Sequence, residues 1–409
     1  MKTLSILIPN GTSPKNIGDL AMLTILKNLV NKAIPQAKIT IHSTEPKLHK
    51  SLGPNVKETL YSYTVFANPK PYVRLARLTR LAFYYLIYKH NLDFLIVYPL
   101  NKDILFRLCQ DYKRSDLIVF VGGGYLRSKP GITQSLNLLM QLFMISFAKI
   151  TSRPVIIAPI SFGPFAYSWQ EKLSSSVLNG TKLIAARETI SYQKMRNRGI
   201  KNTILSIDHA LLLEKIPNNK PHSRIVGFTL RQWLSKPEQT IFEQETAKAL
   251  SLFAIKHNYS IQPILQVDAP QYGEDDRSVI NRVIHLLKTN RVNVKPMVKV
   301  GGILSAQKIY SSLDFLVGMR MHANILAATQ YTPYIGISYE YKTEGISKLL
   351  NLDSFCLKVN EVDSEKLSVL LEKQHRQLSS IRQKIQKKLV LLHHNEKPKW
   401  LNILKSSLQ

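Results

Sequence analysis

The segment Leu316-Val317-Gly318-Met319-Arg320-Met321-His322-Ala323-Asn324 joins an apolar run to a stretch of helical period. Arg320 and His322 therefore fall at a helix N-terminus, where free backbone N–H groups and the helix dipole favour an anion. Arg320 adds a permanently charged bidentate fork. His322 follows two residues on, and an imidazole is a side chain suited to proton transfer. A lone histidine is more often a satisfied core residue, but Gly, Arg and His together at a strand-to-helix junction point to chemistry.

Four other clusters end apolar runs in the same way. Asn16-Ile17-Gly18-Asp19 follows the first run, and Asp19 can either cap the next helix or face a ligand at a strand's carboxyl end. Gly122-Gly123-Gly124-Tyr125-Leu126 follows Leu117–Val121, so that Gly122, Gly123 and Gly124 could let backbone N–H groups approach an oxyanion or a sugar, or simply make a tight turn. No Gly-Lys-Ser/Thr follows, so this is not a P-loop. Ala186-Arg187-Glu188 and Ile207-Asp208-His209-Ala210 each close a run, and Arg231 ends Gly227-Phe228-Thr229-Leu230. Arg187 could fork onto a carboxylate or phosphate, or pair with Glu188 at the surface.

These clusters need a scaffold of buried parallel strands and covering helices. Apolar runs at Leu4–Ile8, Lys38–His42, Leu117–Val121, Val155–Ala158, Leu183–Ala185 and Thr203–Ser206 predict one set of strands. Ile225–Leu230, Ser260–Leu265, Phe315–Val317 and Tyr334–Ile337 predict a second. Helical periods fall between them at Asp19–Ala33, Thr133–Ile150, Tyr167–Leu178, Thr189–Arg198, Glu238–His257, Asp275–Thr289 and His322–Gln330. The alternation predicts an α/β protein of two domains facing across a cleft. The N-terminal domain would span 1–213. A linker at 214–224 carries two prolines and two asparagines, a C-terminal domain follows over 225–370, and 371–409 forms a basic helical tail.

With 56 Lys and Arg against 27 Asp and Glu, the 409-residue chain has a formal charge of +29, which predicts polyanionic surroundings. Its 44% hydrophobic content excludes a disordered or fibrous chain. Only Cys109 and Cys356 are present, so a reducing, cytoplasmic setting is expected, without disulfides. Neither a signal sequence nor a clean apolar span of about 20 residues is found. No Cys pair has metal-ligand spacing, His393-His394 lacks nearby carboxylates, and there is no Gly-x-Ser-x-Gly elbow.

Two basic segments stand apart. Phe66–His90 has five Lys or Arg, no acid, and Tyr72, Phe83, Tyr84, Tyr85 and Tyr88, with Arg74, Arg77 and Arg80 on one side if helical. It reads either as a helix lying in the interface of an anionic membrane's inner face, or as a buried helix with one solvated edge. From Leu371 the tail has nine Lys or Arg and two acids, with helical period until Pro398, and reads as a solvated terminal helix.

In order along the chain, Asn16-Ile17-Gly18-Asp19, Gly122-Gly123-Gly124-Tyr125-Leu126, Gly163-Pro164-Phe165, Ala186-Arg187-Glu188, Asp208-His209-Ala210, Met319-Arg320-Met321-His322, Pro333 and Tyr341-Lys342 resemble the motifs of the polysaccharide pyruvyl transferase family. The resemblance implies two Rossmann-like domains like those of B-type glycosyltransferases. It implies phosphoenolpyruvate as donor substrate, no cofactor, and transfer of pyruvate as a ketal to a sugar of a polysaccharide or its lipid-linked precursor. On this resemblance Arg320 matches the donor-anion arginine, His322 the catalytic histidine and Met321 the residue whose backbone faces the donor. Arg187 or Arg231 matches a further donor arginine, with Asp19 or Asp208 as proton acceptor and Asn16, Gly18, Gly122–Gly124 and Lys342 around the substrates. Gly318 stands where many members carry Ser or another small residue. The competing readings are a nucleotide-sugar glycosyltransferase, with Glu340 or Glu344 on the ribose, and a non-catalytic nucleic-acid binder, which lacks any recognisable signature.

Overall fold

The structure, a computed structural model, describes residues 3–63, 70–92, 94, 103–217, 223–269 and 274–408. Parts of two predicted segments, 66–69 and 218–222, lie outside the described residues, as does the side chain of Arg74. By backbone contacts the chain divides into two units, Met1–Pro14 with Met22–His209 and Glu396–Gln409, and Lys15–Ala21 with Ala210–Asn395.

Strands of the first unit are β1 (Ser5–Gly11), β2 (Lys38–Ser43), β3 (Val56–Glu58), β4 (Leu117–Phe120), β5 (Gly123–Leu126), β6 (Val155–Phe162), β7 (Leu183–Ala186) and β8 (Thr203–Leu205). Its helices are α1 (Ile17–Ala33, whose first turn counts with the second unit), α2 (Pro71–Lys89), α3 (Ile104–Arg114), α4 (Ile132–Ile150), α5 (Ser168–Leu178) and α6 (Thr189–Asn197). All strands pair in parallel in the order β3-β2-β1-β4-β6-β7-β8, with β5 also on β6. Strands β4 and β6 are buried along their whole length, as continuous apolar runs covered on both faces must be. Tyr84, Tyr112, Phe120, Phe147 and Phe162 fill the core beneath α2, α3 and α4.

The second unit holds β9 (Ile225–Thr229), β10 (Ser260–Leu265), β11 (Asp268–Ala269), β12 (Glu274–Asp275), β13 (Val298–Lys299), β14 (Phe315–Gly318), β15 (Tyr334–Ser338) and β16 (Cys356–Lys358). Its helices are α7 (Lys236–His257), α8 (Arg277–Thr289), α9 (Ile303–Ser311), α10 (Met321–Thr329), α11 (Tyr341–Leu349), α12 (Ser364–Arg376) and most of α13 (Leu378–Ser406). The parallel sheet runs β13-β10-β9-β14-β15-β16, and β11 pairs β12 antiparallel. Setting that small pair aside, the strand order is the Rossmann 3-2-1-4-5-6, which reverses between β9 and β14.

The tail corrects the solvated-helix expectation. Ile381, Ile385 and Leu389 recur every four residues and are buried, so α13 presents an apolar stripe to the protein. Pro398 does not end the helix. Two residues later Trp400 is fully buried, with Nε1 donating to Ser206 Oγ at 3.0 Å, and Leu404 is buried beyond it. That anchorage offsets the hydrogen bond a proline cannot make. Trp400→Ala should cost about 3–5 kcal/mol in urea unfolding, whereas a solvated tail would show no change.

Trp400 packs edge-on against His209, with ring centroids 4.6 Å apart. Burial pushes the His209 imidazole down to about 3. The unfolded chain therefore takes up a proton there near pH 6.5 that the folded protein refuses until far lower pH. Stability from this group is complete above pH 6.5 and is lost as pH falls toward 3. In that window His209→Leu should flatten the pH dependence of unfolding free energy by up to about 1.4 kcal/mol per pH unit. An unchanged slope would show that His209 is not held neutral.

Candidate functional site

The turns after β9, β14 and β15 lie side by side because these strands are parallel neighbours. Thr229 closes β9, and its carbonyl accepts from Met319 N at 3.0 Å, tying the two turns at the reversal of strand order. Arg231 N in turn donates to Met319 Sδ at 3.4 Å. Crevices of this kind, at the carboxyl ends of strands where the order reverses, are where open α/β sheets bind ligands.

Arg320 is the N-cap of α10, followed by Met321 and His322 in the first turn. The Arg320 side chain is buried and forked onto Asp276, with Nε donating to Oδ2 at 2.9 Å and Nη2 to Oδ1 at 2.6 Å. Its charge is thus matched by a buried carboxylate that the sequence reading did not single out. Met321 and His322 supply N–H groups at the open end of α10.

Asn16, Gly18 and Asp19 join this unit from the other end of the sequence. Asn16 bridges to Val267 in antiparallel fashion, and its Oδ1 accepts from Gly18 N at 3.2 Å, capping α1. Gly18 lies against the imidazole of His322, so closely that a Cβ at position 18 would overlap the ring. Asp19 is half-buried in the first turn of α1. The glycine of this motif is a spacer that lets a backbone touch the histidine.

Arg231 differs from the other arginines. Its guanidinium carbon sits 5.3 Å from the Trp233 ring centroid and 5.0 Å from that of Tyr339, and those rings are 4.5 Å apart. Nη1 donates to Tyr339 Oη at 3.1 Å. Among the described residues no carboxylate pairs with it, and its buried Nε has no hydrogen-bond acceptor. Three more buried polar atoms near these strand ends lack partners among the described residues: Thr229 Oγ1, Gln266 Nε2 and Asn324 Oδ1. Buried groups are normally satisfied, and exceptions cluster where a ligand or water completes them. Trp233, Tyr339, Gln266 and Asp276 were missed from sequence, although Gln266 and Tyr339 directly follow the strands β10 and β15 and their positions could have flagged them. Lys342, in the first turn of α11, lies 3.6 Å from Glu340.

The remaining predicted residues belong to the first unit. Arg187 is buried, with Nη1 donating to Asp208 Oδ2 at 2.8 Å and Nε to Ser161 Oγ at 2.7 Å. The surface pair with Glu188 is corrected accordingly: Arg187 is interior, and Glu188 is its more distant neighbour at 3.5 Å. Asp208 is fully buried against that guanidinium. Gly122 has a steric role, since a Cβ there would overlap the Pro159 carbonyl. Gly123 has φ +134° and opens β5, so Gly123 and Gly124 extend the sheet where a free turn was expected. Asn10 ties β1 to the end of β4 through Val121 N→Oδ1 at 2.7 Å and Nδ2→Val121 O at 3.2 Å, a clasp the sequence did not reveal.

A sequence model of the family described as polysaccharide pyruvyl transferase matches residues 16–341. The chain belongs to that family. It is 23% identical over 261 residues to the amylovoran biosynthesis protein AmsJ of Erwinia amylovora, a match covering 59% of this chain and 60% of AmsJ, so it spans about three-fifths of that relative's length. Among solved structures it is similar to a ugt transferase from Siraitia grosvenorii in complex with UDP (TM-score 0.57, 11% identity, 100% of both chains). It is also similar to the UDP-GlcNAc 2-epimerase of Neisseria meningitidis bound to UDP-GlcNAc (TM-score 0.52, 12% identity, 93% of this chain and 94% of that one). These likenesses bear on the fold: α/β, with two Rossmann-like units.

Gly318, where Ser is common in the family resemblance, is constrained here by Asn324. Asn324 Nδ2 donates to Gly318 O at 3.0 Å, and a Cβ at 318 would overlap Asn324 Oδ1. Gly318→Ser should therefore destabilise the protein by about 1–3 kcal/mol in urea unfolding. Adding Asn324→Ala should cost less in that background than in the wild type, a non-additivity that strictly additive effects would refute.

Proposed function

We propose that the protein transfers the pyruvyl group of phosphoenolpyruvate to two hydroxyls of a sugar, in a polysaccharide or its lipid-linked precursor, as a cyclic ketal. Family membership supports a pyruvyl transferase, and the amylovoran relative supports a polysaccharide pathway. The observation that carries the donor assignment is Arg231. Among the described residues it is an arginine without a carboxylate partner, caged by Trp233 and Tyr339 at the reversal of strand order, with a buried N–H still to be satisfied.

In this reading Arg231 takes the carboxylate or phosphate of the donor, in place of the neutralised Arg187. The N–H groups of Met321 and His322, with the dipole of α10, add positive potential. Arg320, locked by Asp276, is a positioning residue that fixes the turn carrying His322. Lys342 lies at the neighbouring strand end. Arg231 supplies the uncancelled charge in this reading, which invokes no cofactor.

His322, protonated, gives its proton to the methylene carbon of the enol. The central carbon becomes electrophilic and one sugar hydroxyl adds to it. The carbon–oxygen bond to phosphate breaks, and the second hydroxyl closes the ring. Of the two hydroxyl protons released, one restores the histidine and the other leaves with phosphate. Asp19, beside Gly18, is the proposed acceptor for a hydroxyl proton. Asp208, buried against Arg187, is poorly suited to that role.

Calorimetric titration with phosphoenolpyruvate, and turnover with a labelled donor and a panel of acceptors, test the reading. Arg231→Ala should weaken donor binding at least about tenfold, and Arg231→Lys should not restore it, since an ammonium cannot reproduce the stacked fork. His322→Ala should leave donor binding near normal and lower kcat by about 10²–10⁴-fold. Undiminished donor binding in Arg231→Ala, or stabilisation by nucleotide sugars and not by phosphoenolpyruvate, would reject it.

A further inference from the structure

Helix α2 is amphipathic in an unusual sense. Its inward face is Leu81, Tyr84 and Tyr88, all buried. Its outward face is largely apolar too: Tyr72 is 66% exposed, Leu75 63%, Phe83 48% and Leu86 55%, and spacings of three, eight and three residues put them on one stripe. A helix apolar on both faces is normally enclosed. Two of the three arginines expected to solvate an edge have partners within the protein. Arg77 donates from Nη1 to Tyr63 O at 2.7 Å, and Arg80 pairs with Asp103. Exposed Thr79, whose Oγ1 donates to Ala76 O at 2.9 Å, sits in the middle of this otherwise apolar stripe.

The same surface continues onto two more helices. An apolar pocket of about 490 Å³ opens between α2, α4 and α5, lined by Leu78, Tyr85, Leu136, Phe143, Leu173 and Val177. Ile132, at the start of α4, is 81% exposed, and Trp169 lies one turn before Leu173 on the same face of α5. Contiguous exposed apolar surface on this scale marks an interaction site.

Charge selects the partner. Residues 70–92 and 129–150 contain no Asp or Glu, and 167–178 contains only Glu171, whose carboxylate accepts from Arg198 Nη2 at 2.7 Å. Exposed Lys70, Lys89, Lys129 and Lys172 lie in these segments. Apolar side chains, interfacial tyrosine and tryptophan, and lysines in acid-poor segments are the combination that suits an anionic lipid surface. Among the described residues no helix is long and apolar enough to cross a membrane. We infer that the first unit docks peripherally on an anionic bilayer through α2 and the starts of α4 and α5, with the pocket between them receiving a lipid chain. The inference is independent of the donor chemistry, because binding can be measured without turnover.

The full chain is sedimented with vesicles of phosphatidylcholine alone and of phosphatidylcholine mixed with phosphatidylglycerol. Binding should need the anionic lipid and weaken as salt rises. The double variant Leu75→Asp, Leu86→Asp should bind at least about tenfold more weakly, with an unaltered thermal midpoint because both positions are exposed. Brominated lipid should quench tryptophan emission in the wild type and lose most of that effect in Trp169→Phe. Equal binding by the double variant would assign membrane contact to general basic charge and overturn the inference. So would absent binding to anionic vesicles, or a dimer in solution that the double variant dissociates while vesicles are ignored.

Discussion

A missing methyl group at Gly18 is the constraint on which the candidate site depends. The first turn of α1 lies on the imidazole of His322, and no side chain fits between them. Asn16 holds that turn in place twice, through its bridge to Val267 and its cap on Gly18 N. Val267 O in turn accepts from Asp276 N at 3.3 Å, and Asp276 grips Arg320, two residues before His322. A steric fact about one glycine is thus linked by a short chain of hydrogen bonds to the orientation of the histidine turn. The two motifs are some three hundred residues apart in sequence and form one assembly.

Electrostatics divides the arginines by what lies beneath them. Arg187 and Arg320 are interior and each faces an interior aspartate. A guanidinium taken out of water needs such a partner, so both pairs are requirements of burial and leave little charge for a ligand. Arg231 is held by aromatic faces, which accommodate a cation without cancelling it. The surplus of +29 therefore belongs mainly to the surface and says little about the site. It bears instead on what the outside of the protein meets, and the acid-poor surface around α2 is where it meets apolar side chains.

The sheets were legible because buried parallel strands are near-continuous apolar runs. Each of the ten runs predicted from sequence coincides with a strand to within a few residues. The edge strands β3, β13 and β16, two or three residues long, carry no such signal, and β5 was hidden by its glycines. Helix α3 escaped although Leu105, Leu108, Cys109 and Tyr112 carry the helical period of a buried stripe. Of the site, the strand-end positions of Arg231, Arg320 and His322 could be read from local pattern. Their partners could not. Asp276 is 44 residues from Arg320 and Tyr339 is 108 from Arg231, and nothing local in either segment announces the pairing. The same gap explains the tail: the stripe of Ile381, Ile385 and Leu389 was periodic, but only the fold shows what it covers.

Unpartnered polar atoms complete the distinction between scaffold and site. An unsatisfied buried group costs about 1–3 kcal/mol, so a fold tolerates few without return. His209 is one whose cost is limited by neutrality and by its contact with Trp400. Thr229 Oγ1, Arg231 Nε, Gln266 Nε2 and Asn324 Oδ1 differ, since all belong to segments leaving the carboxyl ends of β9, β10 and β14. Their combined cost is concentrated at the carboxyl ends of three adjacent strands, β10, β9 and β14, and a polar ligand bound there would remove it. The stability given up at these strand ends is the free energy by which an anion with several acceptor and donor groups could be preferred over water.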